Sequence, residues 1–153
     1  METSALSAQR VAELVRDRML ADDGATRALG IEVLEVSPGG CVARMLVRAD
    51  MLNGFGSCHG GLITTLADTA FAYACNSYNH ATVAASLSID FIASVKLGDE
   101  LTASCAEQAL SGRTGVYDVV VVNQRLERVA LFRGRSYRLT AKTVLGTHTD
   151  GQR

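Results

Sequence analysis

Three observations predict an α+β domain for this chain of 153 residues, with an antiparallel sheet around one long buried helix. First, at this length a hydrophobic content of 48% is enough for a single core without disulfides or metals. Second, residues 58–78 are small or apolar almost all round, as in a helix that is buried rather than laid on a surface. Third, alternating apolar and polar runs stand before and after that segment without helices between them. That order suits consecutive antiparallel strands and not a doubly wound sheet.

In chain order, residues 4–20 place Leu6, Val11, Leu14, Val15, Met19 and Leu20 at roughly helical spacing, so an amphipathic N-terminal helix is expected, closed by Asp22, Asp23 and Gly24. Residues 28–36 (ALGIEVLEV) and 41–47 (CVARMLV) alternate on either side of Ser37-Pro38-Gly39-Gly40, which reads as a hairpin. Residues 48–57 hold Asn53-Gly54-Phe55-Gly56 and read as an irregular loop. The central helix is expected over about 59–78, and three strands after it, drawn from runs at 83–91, 101–107, 116–123 and 129–139. Val83, Ala85, Leu87, Ile89 and Phe91 are expected on one face of the first run. Residues 1–141 are taken as a single domain and 142–153 as a flexible C-terminal tail.

Charge and cysteine usage narrow the function. Fifteen Lys and Arg against sixteen Asp and Glu, with no basic block, argue against nucleic acid as a partner. Cys41, Cys58, Cys75 and Cys105 form no CxxC pair, and His59, His80 and His148 have no zinc-ligand spacing, so reduced thiols and no metal are expected. The N-terminal residues mix charges through their apolar positions, so neither a signal peptide nor a membrane span is read there, and a cytoplasmic location is expected.

The chemistry concentrates in residues 53–79. Gly60 and Gly61 each cost a helix about 1 kcal/mol relative to Ala. In a first turn, however, a glycine exposes a backbone N–H at the positive end of the helix dipole, which outlines an oxyanion site. The same pair can serve only to pack loop against helix. Asp68 lies in the apolar stretch LADTAFAYA and shares a face with Gly61, Thr64, Thr65, Ala72 and Cys75. A lone carboxylate there is costly unless it is paired, hydrogen-bonded or working. It can be a base or nucleophile, or simply bonded to a nearby hydroxyl or N–H. Eight helical residues separate Gly60 from Asp68 by about 12 Å along the axis, too far for one site. Two antiparallel copies would bring each Asp68 to the other copy's Gly60, which predicts a homodimer with shared sites. His59 can touch a substrate carbonyl, orient Asn53 or cap the helix, and Asn53 alone reads as a turn residue. Phe55, Phe71 and Tyr73 are candidates for shaping the pocket.

The strings NGFGSCHGGLITTLADTAFAYACNS, SIDF, GRTGVYDVVVVNQ and VALFRGRSYRL, in order over about residues 12–140, closely resemble the hot-dog-fold thioesterases of bacterial phenylacetate degradation. The resemblance implies a hot-dog fold, dimers joined through a continuous sheet, and tetramers built from two dimers. It implies hydrolysis of phenylacetyl-CoA or hydroxyphenylacetyl-CoA, with no cofactor beyond the coenzyme A of the substrate. Carried onto this chain, it makes Asp68 the nucleophile or general base, with Gly60 polarising the thioester carbonyl beside His59 and Asn53. It assigns coenzyme A to Ser86, Phe91, Ser111, Gly112, Arg113 and Thr114. The segment after Phe91 departs from the family in lacking a proline often found there. Two other readings keep the fold: a medium- or long-chain acyl-CoA thioesterase, and a non-catalytic acyl-CoA-binding protein. A dehydratase relative would need a helix histidine, and none follows His59.

Overall fold

A computed structural model describes residues 5–146 of the chain. Helix α1 (Ala8–Asp22) begins where the Ser7 hydroxyl accepts the Arg10 N–H at 3.1 Å, the role expected of a serine N-cap. It buries Ala12 and Val15, and the first residue of the expected helix, Ser4, lies outside the described residues. Asp23 ends α1 and at once starts a second, unexpected short helix, α2 (Gly24–Ala28), by accepting the Thr26 N–H at 3.0 Å. The first strand therefore starts later than residue 28: Gly30, at φ +65°, ends the helical segment, and β1 is Glu32–Ser37. The hairpin continues into β2 (Gly40–Leu46), and a 3-10 turn at Ala49–Met51 opens the loop to the central helix.

That helix, α3 (Gly60–Asn76), buries Ile63, Leu66, Ala67, Ala70, Phe71, Tyr73 and Ala74. Its far end is tied twice. Ser77 closes it and accepts the Gly39 N–H from the β1–β2 turn at 2.8 Å, while Asn76 exchanges two bonds of 2.9 Å with the backbone of Thr82. Each of the four later runs then forms its own strand, so four and not three follow α3: β3 (Thr82–Phe91), β4 (Glu100–Ser111), β5 (Thr114–Val122) and β6 (Arg128–Arg138).

All pairings are antiparallel, in the order β1-β2-β4-β5-β6-β3. The helix lies on the inner face of this sheet, which is the hot-dog arrangement. Gly134 lets it approach β6, since a Cβ there would stand 2.8 Å from the Phe71 ring, which also packs against Tyr117 and Phe132 at 5.5 and 5.8 Å. Phe71 and Tyr73 are thus core residues, each 1% exposed, and not part of a pocket wall. A bulge at Ala85 also corrects the reading of β3. Beyond it Leu87, Ile89 and Phe91 pair with inward Gly134, Phe132 and Ala130, but Val83 pairs with outward Tyr137, so one extra residue moves Val83 to the other face.

The two sheet edges differ. β1 is short and shows Glu32 and Glu35 to solvent, which discourages further pairing. β3 is ten residues long and leaves Val83, Leu87 and Phe91 exposed. Residues 142–145 of the expected tail are fastened, by Ala81 N–H to the Lys142 carbonyl and Leu145 N–H to Asn79 Oδ1, both 2.9 Å. Residues 147–153 lie outside the described part.

Candidate active site

The start of α3 is built around one unoccupied donor. His59 precedes the helix in extended conformation, and its Nδ1 accepts the Gly61 N–H at 3.3 Å, so the proton of the neutral ring sits on Nε2. The His59 carbonyl takes the Leu62 and Ile63 N–H groups. Of the three readings of His59, this chain realises the cap. The Gly60 N–H has no acceptor among the described residues. It belongs to a hollow of about 390 Å3 lined by Asn53, Cys58, Gly60, Ile63 and Phe91, among others.

The two glycines are not equivalent. A Cβ on Gly60 would meet the Phe91 ring tip at 2.9 Å, whereas one on Gly61 would make an ordinary 3.6 Å contact with His59. Asn53 closes the adjoining loop, its Oδ1 accepting the N–H groups of Phe55 and Ser57 at 2.9 and 3.2 Å. Its Nδ2 donors remain uncommitted. Phe55, at the tip of this loop, is 97% exposed.

Asp68 sits two turns further along, half-buried, and accepts no hydrogen bond among the described residues. The neighbouring hydroxyls are spent on the helix itself: Thr64, Thr65 and Thr69 each donate to the carbonyl four residues back, at 2.8, 2.9 and 2.8 Å. The structural alternative for this carboxylate, a local hydroxyl or N–H partner, is therefore absent. Burial pushes its carboxyl above the ordinary carboxylate value. Asp68 does not line the Gly60 hollow, so within one chain the two groups stay apart.

The thiols do not compete as nucleophiles. Burial pushes Cys41 and Cys75 up to about 12 and also raises Cys58, which lines the Gly60 hollow. Among the described residues no group of three or more His, Cys, Asp or Glu is placed to hold a metal, and no helix is long and apolar enough to cross a membrane.

The residues expected to hold coenzyme A fall into three places. Phe91 stands over Gly60. Gly112 and Arg113 border a second cavity, of about 250 Å3, at the far end of α3. Ser111 and Thr114 line a shallow hollow with Arg135, and Ser86 is the register partner of Arg135 across β3 and β6. Sequence reasoning missed Ser136, Tyr117 and Arg135. An available signal was Ser136 itself, a polar residue on the inward-facing row of β6 beside Gly134 and Phe132.

The profile of the thioesterase superfamily matches residues 55–130. Over 121 residues the chain is 49% identical to the acyl-coenzyme A thioesterase PaaI of Escherichia coli (strain K12), spanning 79% of this chain and 86% of that protein. The chain belongs to the thioesterase superfamily. The solved structure of the E. coli PaaI protein, from the phenylacetic acid degradation operon, superposes on this thioesterase with a TM-score of 0.87 at 45% identity, covering 90% of this chain and 99% of that one. A hypothetical thioesterase protein from Streptococcus pneumoniae TIGR4, solved with coenzyme A, matches with a TM-score of 0.70 at 26% identity, over 74% of this chain and 91% of that one. This thioesterase thus carries on α3 a carboxylate and an N–H donor that have no partner among the described residues.

Proposed function

We propose that this thioesterase hydrolyses aryl-acetyl-CoA thioesters of the phenylacetyl or hydroxyphenylacetyl type, at two sites shared across a homodimer. The carrying observation is the pair of unmet groups on α3. Asp68 has no partner and the Gly60 N–H has no acceptor, yet about 12 Å of helix rise separates them. Two antiparallel copies of α3 bring each group to its complement, and the long apolar edge of β3 offers the backbone groups to join the sheets.

In such a site the carbonyl oxygen of the thioester lies on Gly60 N–H, with the Asn53 amide and His59 alongside. As charge builds on that oxygen, a fixed N–H at a helix start stabilises it without reorganising. Asp68 from the other chain supplies the carboxylate, as nucleophile or as general base toward water. As a base it takes a proton from water as the water oxygen bonds the acyl carbon and the C–S bond breaks; as a nucleophile its oxygen bonds the acyl carbon as the C–S bond breaks, and water then hydrolyses the mixed anhydride and frees Asp68. In both, the proton from water ends on the departing coenzyme A thiol. The outward cluster of Ser86, Ser111, Thr114 and Arg135 suits the phosphates of coenzyme A, because Arg135 is paired with no carboxylate among the described residues. Two dimers forming a tetramer, and a cytoplasmic location, complete the reading. The PaaI relative and the operon named for it support the acyl group chosen.

Mixing two disabled variants tests the shared site. Asp68→Asn removes the carboxylate. Gly60→Pro deletes the donor, since proline suits the first helical position and His59 is already extended, and it also brings a Cβ against the Phe91 ring, a packing change that Gly60→Ala makes on its own. Each alone is expected to be nearly inactive on phenylacetyl-CoA. Co-expressed, they form mixed dimers with one intact site, and activity should recover to about a quarter of wild type. No recovery would sink the two-chain site, and faster turnover of a medium-chain acyl-CoA would move the substrate to the aliphatic class.

A further inference from the structure

We infer that Phe55 of the partner subunit is the lid of the acyl pocket, closing the cavity at the far end of α3 over the aryl group of the substrate. This rests on the shared-site reading above. The cavity, about 250 Å3, has Cys75, Leu110, Tyr117 and Ser136 among its walls. Cys75 follows Asp68 by two helical turns on the same face, close enough for the Asp68 charge to act on its thiol. In the inferred site, an acyl group whose carbonyl meets Asp68 runs along this face of α3 toward Cys75 and the cavity.

The walls suit a ring with a polar substituent. Tyr117 and Leu110 are apolar surfaces, and Ser136, 2% exposed, lines the cavity with a hydroxyl that makes no hydrogen bond among the described residues. Room for that hydroxyl is made by Gly115, where a Cβ would approach it to 2.7 Å. A hydroxyl on a cavity wall can bond a polar substituent of a ligand.

Among the described residues the cavity stays open on one side. The loop carrying Phe55 protrudes ahead of α3, pinched at its base by Asn53 N–H donating to the Ser57 carbonyl at 2.7 Å. In an antiparallel helix pair with Gly60 of one copy beside Asp68 of the other, whatever precedes one helix lies alongside the C-terminal half of its mate. That is where Cys75 and the cavity are. A phenylalanine 97% exposed between Gly54 and Gly56 gains apolar contact only from such a neighbour.

The test is the ratio of kcat/KM for phenylacetyl-CoA to that for butanoyl-CoA, whose short chain reaches no lid. Phe55→Ala should lower this ratio about ten-fold, chiefly through KM, and Phe55→Tyr should restore it. Leu110→Trp, which fills the cavity from a residue 54% exposed, should lower it similarly. Both substituted positions are exposed, so folding is not at stake. A ratio within about two-fold of wild type in either Phe55→Ala or Leu110→Trp overturns the lid while leaving the hydrolase reading standing. A wild type inactive on both thioesters, or an Asp68→Asn variant as fast as wild type, overturns the hydrolase reading and the lid with it.

Discussion

Asp23 and Asp68 are two carboxylates set against the same helix and provided for in opposite ways. Asp23 accepts the Thr26 N–H at 3.0 Å, the Thr26 hydroxyl at 2.7 Å and the Tyr73 hydroxyl at 3.0 Å. Burial pushes its carboxyl up, but these donors outweigh burial and hold it below the ordinary value. Asp68 accepts nothing among the described residues, and burial alone pushes it up. The fold makes Asp23 part of the joint between α1, α2 and α3. At Asp68 it leaves a half-buried carboxylate with no protein partner among the described residues, the state that the role proposed for it across a dimer would use.

The widest way to sharpen this contrast is Asp68→Asn. It should lower kcat about 10²–10⁴-fold, measured by thiol release from phenylacetyl-CoA. The same change should stabilise the protein. A carboxyl raised above its unfolded value of 3.8 binds more protons in the folded state, so stability falls as pH rises through the raised value and is lowest above it. Asparagine removes that loss, so its Tm advantage is present at neutral pH and vanishes in acid. The acid limb of the wild-type rate should likewise lie above 3.8, because the carboxylate must be ionised to work. A variant less stable than wild type at neutral pH would mean that Asp68 has a structural partner after all.

Next in size is the donor that faces Asp68 across the proposed dimer. Gly60→Pro should cost about 10²–10³-fold in kcat. Gly60→Ala is its control, since it places the same Cβ against the half-exposed Phe91 ring but keeps the N–H. If the two lose activity equally, the glycine serves the packing of Phe91 and not the oxyanion.

These two groups were visible in the sequence for a physical reason. Gly60 and Asp68 each violate the composition of an otherwise apolar helix, and a violation is legible without knowing what packs where. What satisfies or shapes a residue from a distance was not legible. Since α3 is apolar nearly all round, its pattern could not say that Phe71 and Tyr73 turn to the core while Thr64, Asp68 and Ala72 stay half open. The bulge that moves Val83 falls at Ala85, between Ala84 and Ser86, with no glycine to announce it. A histidine is an unusual N-cap, so the role of His59 emerged only with its bond to Gly61. Helix α2 was within reach, because Asp23 followed three residues later by Thr26 is a capping pattern.

The smallest expected effect tests the other member of the pair. Tyr73→Phe removes one of the three donors to Asp23 and nothing else, the ring staying buried in the core. It should cost about 1 kcal/mol of unfolding free energy, measured by denaturant at neutral pH. The sign of its pH dependence is opposite to that at Asp68. Because the Asp23 carboxyl is depressed in the folded state, the stability it brings is present above the unfolded value of 3.8 and is lost as pH falls through the depressed one. The penalty of Tyr73→Phe should therefore shrink in acid, where Asp23 is protonated whether or not the tyrosine is there. Turnover should not change, since Tyr73 and Asp23 touch neither the Gly60 hollow nor the far cavity. A fall in kcat of more than about three-fold would break the comparison, showing that the joint at Asp23 positions the catalytic face of α3 and does not merely hold the helices together.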